Sequence, residues 1–175
     1  MTTTVRAFSA TQADLADGTA WTNIGNVGAD DGTPATCRPA GAGFTATLRA
    51  TNFGFSIPAG ATIIGVLAEV EAKSDFADDV ENSIKWVVGG SDAASLELSD
   101  FSALPAAYSV RSFGSLALPD LFGNGNATPA ILNAADFGVQ VQYSTADALR
   151  FIYVDYIAIT VGYQGPRGGR LLRMR

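Results

Sequence analysis

From Phe151 to Tyr163 the chain reads FIYVDYIAITVGY, a run of β-branched and aromatic residues interrupted by a single charge, Asp155. That composition belongs to a central strand, packed on both faces or against a neighbouring subunit. Two other segments carry the alternation of half-buried strands. Val66, Ala68, Val70 and Ala72 alternate with Glu69, Glu71 and Lys73. Phe137, Val139, Val141 and Tyr143 alternate with Gly138, Gln140 and Gln142. A period of two places one set on a core and the other in water or against a partner. No stretch of useful length repeats apolar residues at helical spacing, and there is no internal repeat.

The remaining segments fit the same architecture. Phe44, Ala46, Leu48 and Ala50 alternate with Thr45, Thr47, Arg49 and Thr51, and Ile57-Pro58-Ala59-Gly60 forms a turn after them. Residues 74–79 read as an acidic loop, and Ser83–Val88 as a strand ending at Gly89-Gly90. Ser95–Leu98 and Tyr108–Phe113 are shorter strand candidates, Pro119–Asn126 a loop and Pro129–Ala135 a helical turn. Residues 1–43 are turn-rich, with clusters at Asp30-Asp31-Gly32 and Pro39–Gly43. Short strands divided by 19 glycines and 7 prolines predict an all-β fold: an antiparallel β-sandwich, most simply a jelly roll. The expected organisation is one sandwich domain over 1–163, with 1–43 as its extended N-terminal segment, and a basic C-terminal arm over 164–175.

Several chemistries are hard to build from this composition. Histidine is absent, which removes the usual general base, the Ser–His–Asp arrangement and every histidine metal site. The one cysteine, Cys37, cannot form an intrachain disulfide and reads as a small loop residue. No signal-peptide core opens the chain and no apolar stretch approaches the roughly 20 residues of a membrane helix, so a soluble protein made in the cytoplasm is expected. All 17 acidic residues precede residue 164, and four of the 11 basic ones follow it. An acidic body of this kind repels phosphates, so nucleic acid is not the expected partner.

Asp75, Asp78, Asp79 and Glu81 form the densest acidic group, but their spacing is not that of a calcium-binding helical hairpin, and they read as a solvated loop. Trp21, Trp86, Tyr153 and Tyr156 could offer sugar a stacking platform, with core or interface packing as the simpler reading. Gly123-Asn124-Gly125-Asn126 lacks the setting of a phosphate loop and reads as a turn. The arm gathers Arg167, Arg170, Arg173 and Arg175 around Leu171, Leu172 and Met174, which suits docking on an acidic neighbouring subunit. No catalytic, cofactor or metal site is expected.

One set of residues has a wider resemblance. Trp21-Thr22-Asn23, Asn26 and Asp31-Gly32 come first, then Asn52-Phe53-Gly54-Phe55-x-Ile57-Pro58-x-Gly60-Ala61-x-Ile63-x-Gly65-Val66. The series closes on Val154-Asp155-Tyr156-Ile157-x-Ile159-Thr160-Val161-x-Tyr163. Over roughly residues 20–163 this resembles a loose group of tailed-bacteriophage virion proteins, with a jelly roll akin to carbohydrate-binding modules. The arm is not part of the pattern. The resemblance implies architecture, Pro58 and Gly60 shaping a corner and Trp21 plugging one end of the sandwich, and transfers no active site. Jelly rolls of the sugar-binding kind often carry an acidic residue in the closing strand, sometimes near a structural calcium. For Asp155 the preferred reading is a hydrogen bond to backbone or to Arg150.

The function expected on this basis is that of a non-enzymatic structural subunit of a phage particle. Its expected form is a capsid decoration or cement protein located in the virion. The expected partners are the major capsid protein, other virion subunits and further copies of the chain in a homo-oligomer. A tail, connector or appendage subunit, or a carbohydrate-binding module for host recognition, is the alternative.

Overall fold

The computed structural model describes residues 2–76, 79–92, 97–117, 127–147 and 150–166. The strands are β1 Thr2–Phe8, β2 Thr11–Asp14, β3 Trp21–Thr22, β4 Ala35–Cys37, β5 Gly43–Phe44 and β6 Leu48–Thr51. After them come β7 Thr62–Ser74, β8 Val80–Val88, β9 Ser91–Asp92, β10 Ser109–Ser115, β11 Gly138–Thr145 and β12 Ile152–Gln164. A 3-10 turn at Ile24–Val27 and the short helix α1 at Pro129–Leu132 complete the described elements. One sheet runs β10-β7-β12-β4-β3, with β1 also on β12; the other runs β2-β6-β11-β8-β9, with β5 also on β11. All named strand pairs are antiparallel. Strands β6, β7 and β8 pass from one sheet to the other and back, as do β10, β11 and β12, which is the winding of a jelly roll. The protein is an all-β antiparallel sandwich.

The alternating segments lie where their period places them. Val66, Ala68, Val70 and Ala72 of β7 face Val139, Val141 and Tyr143 of β11 across a core that also takes Ile157, Ile159 and Val161. β12 is central in its sheet, and from Ile152 to Val161 only Tyr153 and Thr160 are more than marginally exposed. Phe53, Phe55 and Ile57 are buried, and the rings of Phe53 and Phe55 stack 6.2 Å apart. Asn133, at the end of α1, clamps the segment: Ile57 N donates to its Oδ1 at 2.9 Å, and its Nδ2 donates to Ile57 O at 2.8 Å. These residues are architectural.

Four expectations need correction. The first 43 residues are not mainly turns: they supply β1 to β4 and the start of β5, and β1 pairs with the closing strand from Thr2↔Gln164 to Phe8↔Ala158. β1 to β3 lie at sheet edges, and β4, between β12 and β3, is three residues long, so there is little alternation to read. The segment 44–51 is broken into β5 and β6; Phe44 is exposed, while Thr45 is buried with its Oγ1 accepting from Tyr143 N. Cys37 is a buried strand residue, its thiol donating to Thr19 O at 3.2 Å. Burial, with Asp14 second, pushes that thiol up to about 12, so it is unreactive.

The fourth correction concerns the acidic group. Asp79 and Glu81 are buried rather than solvated. Asp79 takes a short hydrogen bond from the Ser74 hydroxyl, and its backbone carbonyl accepts from Leu104 N at 2.7 Å. Glu81 meets Arg111 Nε at 3.4 Å and the Ser99 hydroxyl at 3.2 Å. Asp78, the whole of Pro119–Asn126, arm residues 167–175, and Ser95 and Leu96 lie outside the described residues; Glu97 and Leu98 are not strand.

Two predictions follow from this packing. A methyl group at Gly138 would stand 1.9 Å from Ala50 O, whereas one at Gly162 meets nothing closer than 3.7 Å. Gly138→Ala should therefore cost about 2–3 kcal/mol and lower Tm by on the order of 5–10 °C, with Gly162→Ala nearly neutral, as read by thermal melting. Burial also pushes the Glu81 carboxyl up, by more than Arg111 and Ser99 bring it down. A carboxyl raised in the folded state binds protons more readily there than in the unfolded chain, so its contribution to stability falls as pH rises. Wild-type Tm, taken relative to that of Glu81→Gln, should be level at acid pH and decline once pH climbs through the ordinary carboxyl range. A difference independent of pH would contradict this.

Candidate functional site

The outer face of the first sheet carries three rows of side chains, each set by strand register. The middle row crosses β7 and β12 where Lys73 lies opposite Tyr153, and continues to Thr36 of β4 and Thr22 of β3. Tyr108, just before β10, flanks its other end. The Lys73 ammonium lies 4.6 Å from the Tyr108 ring centre and 4.7 Å from that of Tyr153. Such contacts contribute about 0.5–1 kcal/mol each at exposed sites.

The second row lies one step toward the start of β12. Phe151 stacks on Tyr153 with ring centres 5.8 Å apart, and the Arg38 guanidinium sits 4.9 Å over the Phe151 ring. Asp75 accepts from the Tyr153 hydroxyl at 3.4 Å. Beyond it Arg150 covers the exposed Phe76 ring at 4.2 Å and pairs with Asp147. Rings and cations thus hold one another in place before any ligand arrives.

The third row lies on the other side and is acidic. β12 bulges between Val154 and Tyr156, so Asp155 is an extra residue beside Glu71. The segment after the 3-10 turn folds over the bulge, with a bridge between Gly28 and Tyr156. Gly32, at φ 74, takes the left-handed conformation that this return requires, and its N–H donates to Asp155 Oδ2 at 3.2 Å. Asp30, Glu71 and Asp155 each offer an oxygen to one point, all within 4.8 Å of one another. Asp155 is 2% exposed, and its Oδ1 is buried without a hydrogen bond. Burial, the Asp155 carboxylate and the Asp30 charge all push the Glu71 carboxyl upward. The same carboxylates, after burial, raise the Tyr108 phenol.

The sequence candidates fall into separate places. Trp21 and Trp86 are core residues: the Trp21 indole donates to Ala46 O at 2.7 Å, and Trp86 stacks on Phe137. Tyr156 is nearly buried against Phe8 and Arg6, leaving Tyr153 as the one member of that aromatic set with substantial exposure. Asp155 has the backbone partner expected of it. No local motif in the sequence marks Tyr108, Lys73, Phe151 and Arg38, because their row runs across several strands. Among the described residues the surface has no enclosed pocket. Open rows of rings and charges suit an extended ligand laid across the sheet.

The sequence matches no family model and no curated protein. Among solved structures the chain is similar to a family 29 carbohydrate binding module from Piromyces equi, at 9% identity and a TM-score of 0.45, over 98% of this chain and 96% of that one. It is also similar to a mutant of CBM29-2 complexed with mannohexaose, at 12% identity and a TM-score of 0.47, over 91% of this chain and 92% of that one. A third is the N-terminal cellulose-binding domain of β-1,4-glucanase C from Cellulomonas fimi, at 19% identity and a TM-score of 0.34, over 89% and 86%. Likenesses this distant carry over no binding residue and no ligand to this chain.

Proposed function

We propose that the protein is a non-catalytic binding domain whose open sheet face takes a carbohydrate chain. The observation that carries this reading is the braced row Tyr108–Lys73–Tyr153 with its neighbour Phe151–Arg38. Sugars present apolar C–H faces and rings of hydroxyls, and such a surface offers both complements. Aromatic carbons provide contact area, while Asp75, Lys73, Thr36 and Arg38 provide acceptors and donors. Side chains already held by their neighbours lose little rotamer freedom on binding. The acidic character of the chain argues against a nucleic acid on the same face.

A second reading, the structural subunit of a phage particle, is favoured by the exposed rings of Phe44, Phe76 and Phe101, which are suited to burial against other subunits. The motif resemblance supports the same context, with a capsid decoration site, a tail and an appendage as its possible positions. The two readings are compatible on a host-recognition appendage.

Affinity electrophoresis in gels containing soluble polysaccharides, preceded by a glycan array, tests the first reading. The wild-type protein should be retarded by at least one glycan. Tyr153→Ala should weaken binding about tenfold or more, the loss typical of a central aromatic contact. A protein that no polysaccharide retards, or a Tyr153→Ala variant that binds unchanged, would refute the proposal. A particle density map with this chain at repeated positions would decide the second.

A further inference from the structure

We propose that the loop end of one copy of this chain receives residues 167–175 of a neighbouring copy, so that the domain associates with itself head to tail. Three exposed phenylalanines mark that end. Phe76 follows Ser74, which pairs with Ile152 where β12 begins. On the second sheet one row runs Phe44, Ser144, Val80 and Ala103, at the end of β11 and the start of β8, and Phe101 lies two residues before Ala103. The Ser74 hydroxyl donates to the Asp79 carboxylate and ties the two sheets together there. The exposures are 51% for Phe44, 48% for Phe76 and 59% for Phe101. Among the described residues, Leu116 is the one large exposed apolar side chain beside the opposite end. Phe101 is held in place. At φ 57 it takes a left-handed backbone that a bulky residue seldom adopts, its N–H donates to Ser99 Oγ at 3.0 Å, and Asp100 beside it takes Arg111 at 2.7 Å. A ring fixed outward at the expense of backbone strain suits an interface anchor.

The same end presents carboxylates. Asp17, Asp75, Asp100 and Asp147 are exposed there. Asp100 and Asp147 pair with Arg111 and Arg150, but their side chains are 65% and 66% exposed against 30% and 12% for the arginines. Oxygen rather than guanidinium therefore faces outward. Residues 167–175 read RGGRLLRMR, four arginines with two leucines and a methionine and no acid. Both properties of that segment find a complement at the loop end: guanidinium forks for carboxylates, aliphatic side chains for phenylalanine rings. Reach decides which copy supplies it. Gln164 closes β12 opposite Thr2 and Thr62, and Pro166 sits at that corner, 3.3 Å from where a side chain on Gly60 would begin. The start of β12 is roughly 40 Å away, the length of a 13-residue strand. Residues 167–175 fully extended span about 30 Å, so their arginines fall short of the loop end of their own chain. A second copy can bring its loop end to the corner without that limit. The two contacting surfaces are unlike and lie at opposite ends of the domain, so each copy can give its arm to one neighbour and take the arm of another.

The test uses the full chain and no sugar, so its failure is distinguishable from failure of the carbohydrate reading. In sedimentation velocity the wild-type protein should pass from monomer to larger species as its concentration rises from about 1 to about 100 μM. Raising salt from about 0.1 to about 0.5 M should weaken that association about tenfold, since part of the attraction is screened. Two double variants divide the contact between its halves. Leu171→Asp with Leu172→Asp spoils the arm, and Phe44→Ser with Phe101→Ser spoils the loop end. Phe44 and Phe101 are exposed, so the second variant should melt within about 3 °C of wild type. Each variant alone should stay monomeric. An equimolar mixture of the two should form pairs holding one of each, because one supplies an intact loop end and the other an intact arm. The proposal is overturned if the wild type stays monomeric at about 100 μM, the result expected when the arm serves its own chain or a different protein. It is equally overturned if either variant associates as the wild type does, or if the mixture yields no pairs.

Discussion

The pairing of β7 with β12 is the constraint on which the rest depends. The two strands stay in antiparallel register from Ile152↔Ser74 to Gln164↔Thr62, with two irregularities on the way. Their inner faces furnish much of one wall of the core; their outer faces furnish Lys73, Glu71, Tyr153 and Asp155. Because side chains alternate strictly, a slip of one residue would bring Glu69, Glu71 and Lys73 into the core and expose Val66, Ala68 and Val70. Core packing therefore sets the register, and the register sets the functional surface. The bulge at Asp155 is the local exception that frees one carboxylate from the alternation.

The second polar feature lies near the opposite edge of that sheet. Arg111 of β10 reaches Glu81 of β8, and so connects strands belonging to different sheets. A buried charge pair of this sort is weak evidence of net stabilisation, since desolvation consumes much of the attraction. Glu81 of one sheet meets the Arg111 guanidinium only when the two sheets close, while Ser99, on a segment that runs along β8, donates to the same carboxylate. Arg111 also binds the exposed Asp100 at 2.7 Å, so the guanidinium spans from interior to surface.

Where periodicity was strong, the fold was legible. The alternation at 66–72 and 137–143, the apolar run around Asp155 from Ile152 and the turn at Pro58–Gly60 correspond to three central strands and a corner. β1 to β4 were not legible, because β1 to β3 are edge strands with little contrast between inner and outer residues, and β4, though it lies between β12 and β3, is only three residues long. Asp79 and Glu81 looked solvated for a related reason: acidic residues are usually exposed, and only contact with Ser74, Ser99 and Arg111 makes their burial tolerable. Of the acidic triad, Asp155 alone stood out locally, as a charge in an apolar strand. Glu71 looked like any outward-facing strand residue and Asp30 like any turn residue; only the β7–β12 register and the returning loop bring them together.

The pairing of Thr2 with Gln164 has a mechanical consequence. The outer ends of β1 and β12 meet side by side, so tension drawn between residues 2 and 164 would part their ladder one rung after another, as a zipper opens. A ladder loaded that way yields at far lower force than one sheared along its length. The aromatic row lies at the other end of β12, a 13-residue strand and thus roughly 40 Å long. Anything joined to the chain at this shared corner would hold the domain like a flag by its pole, with the ligand-facing rows at the free end.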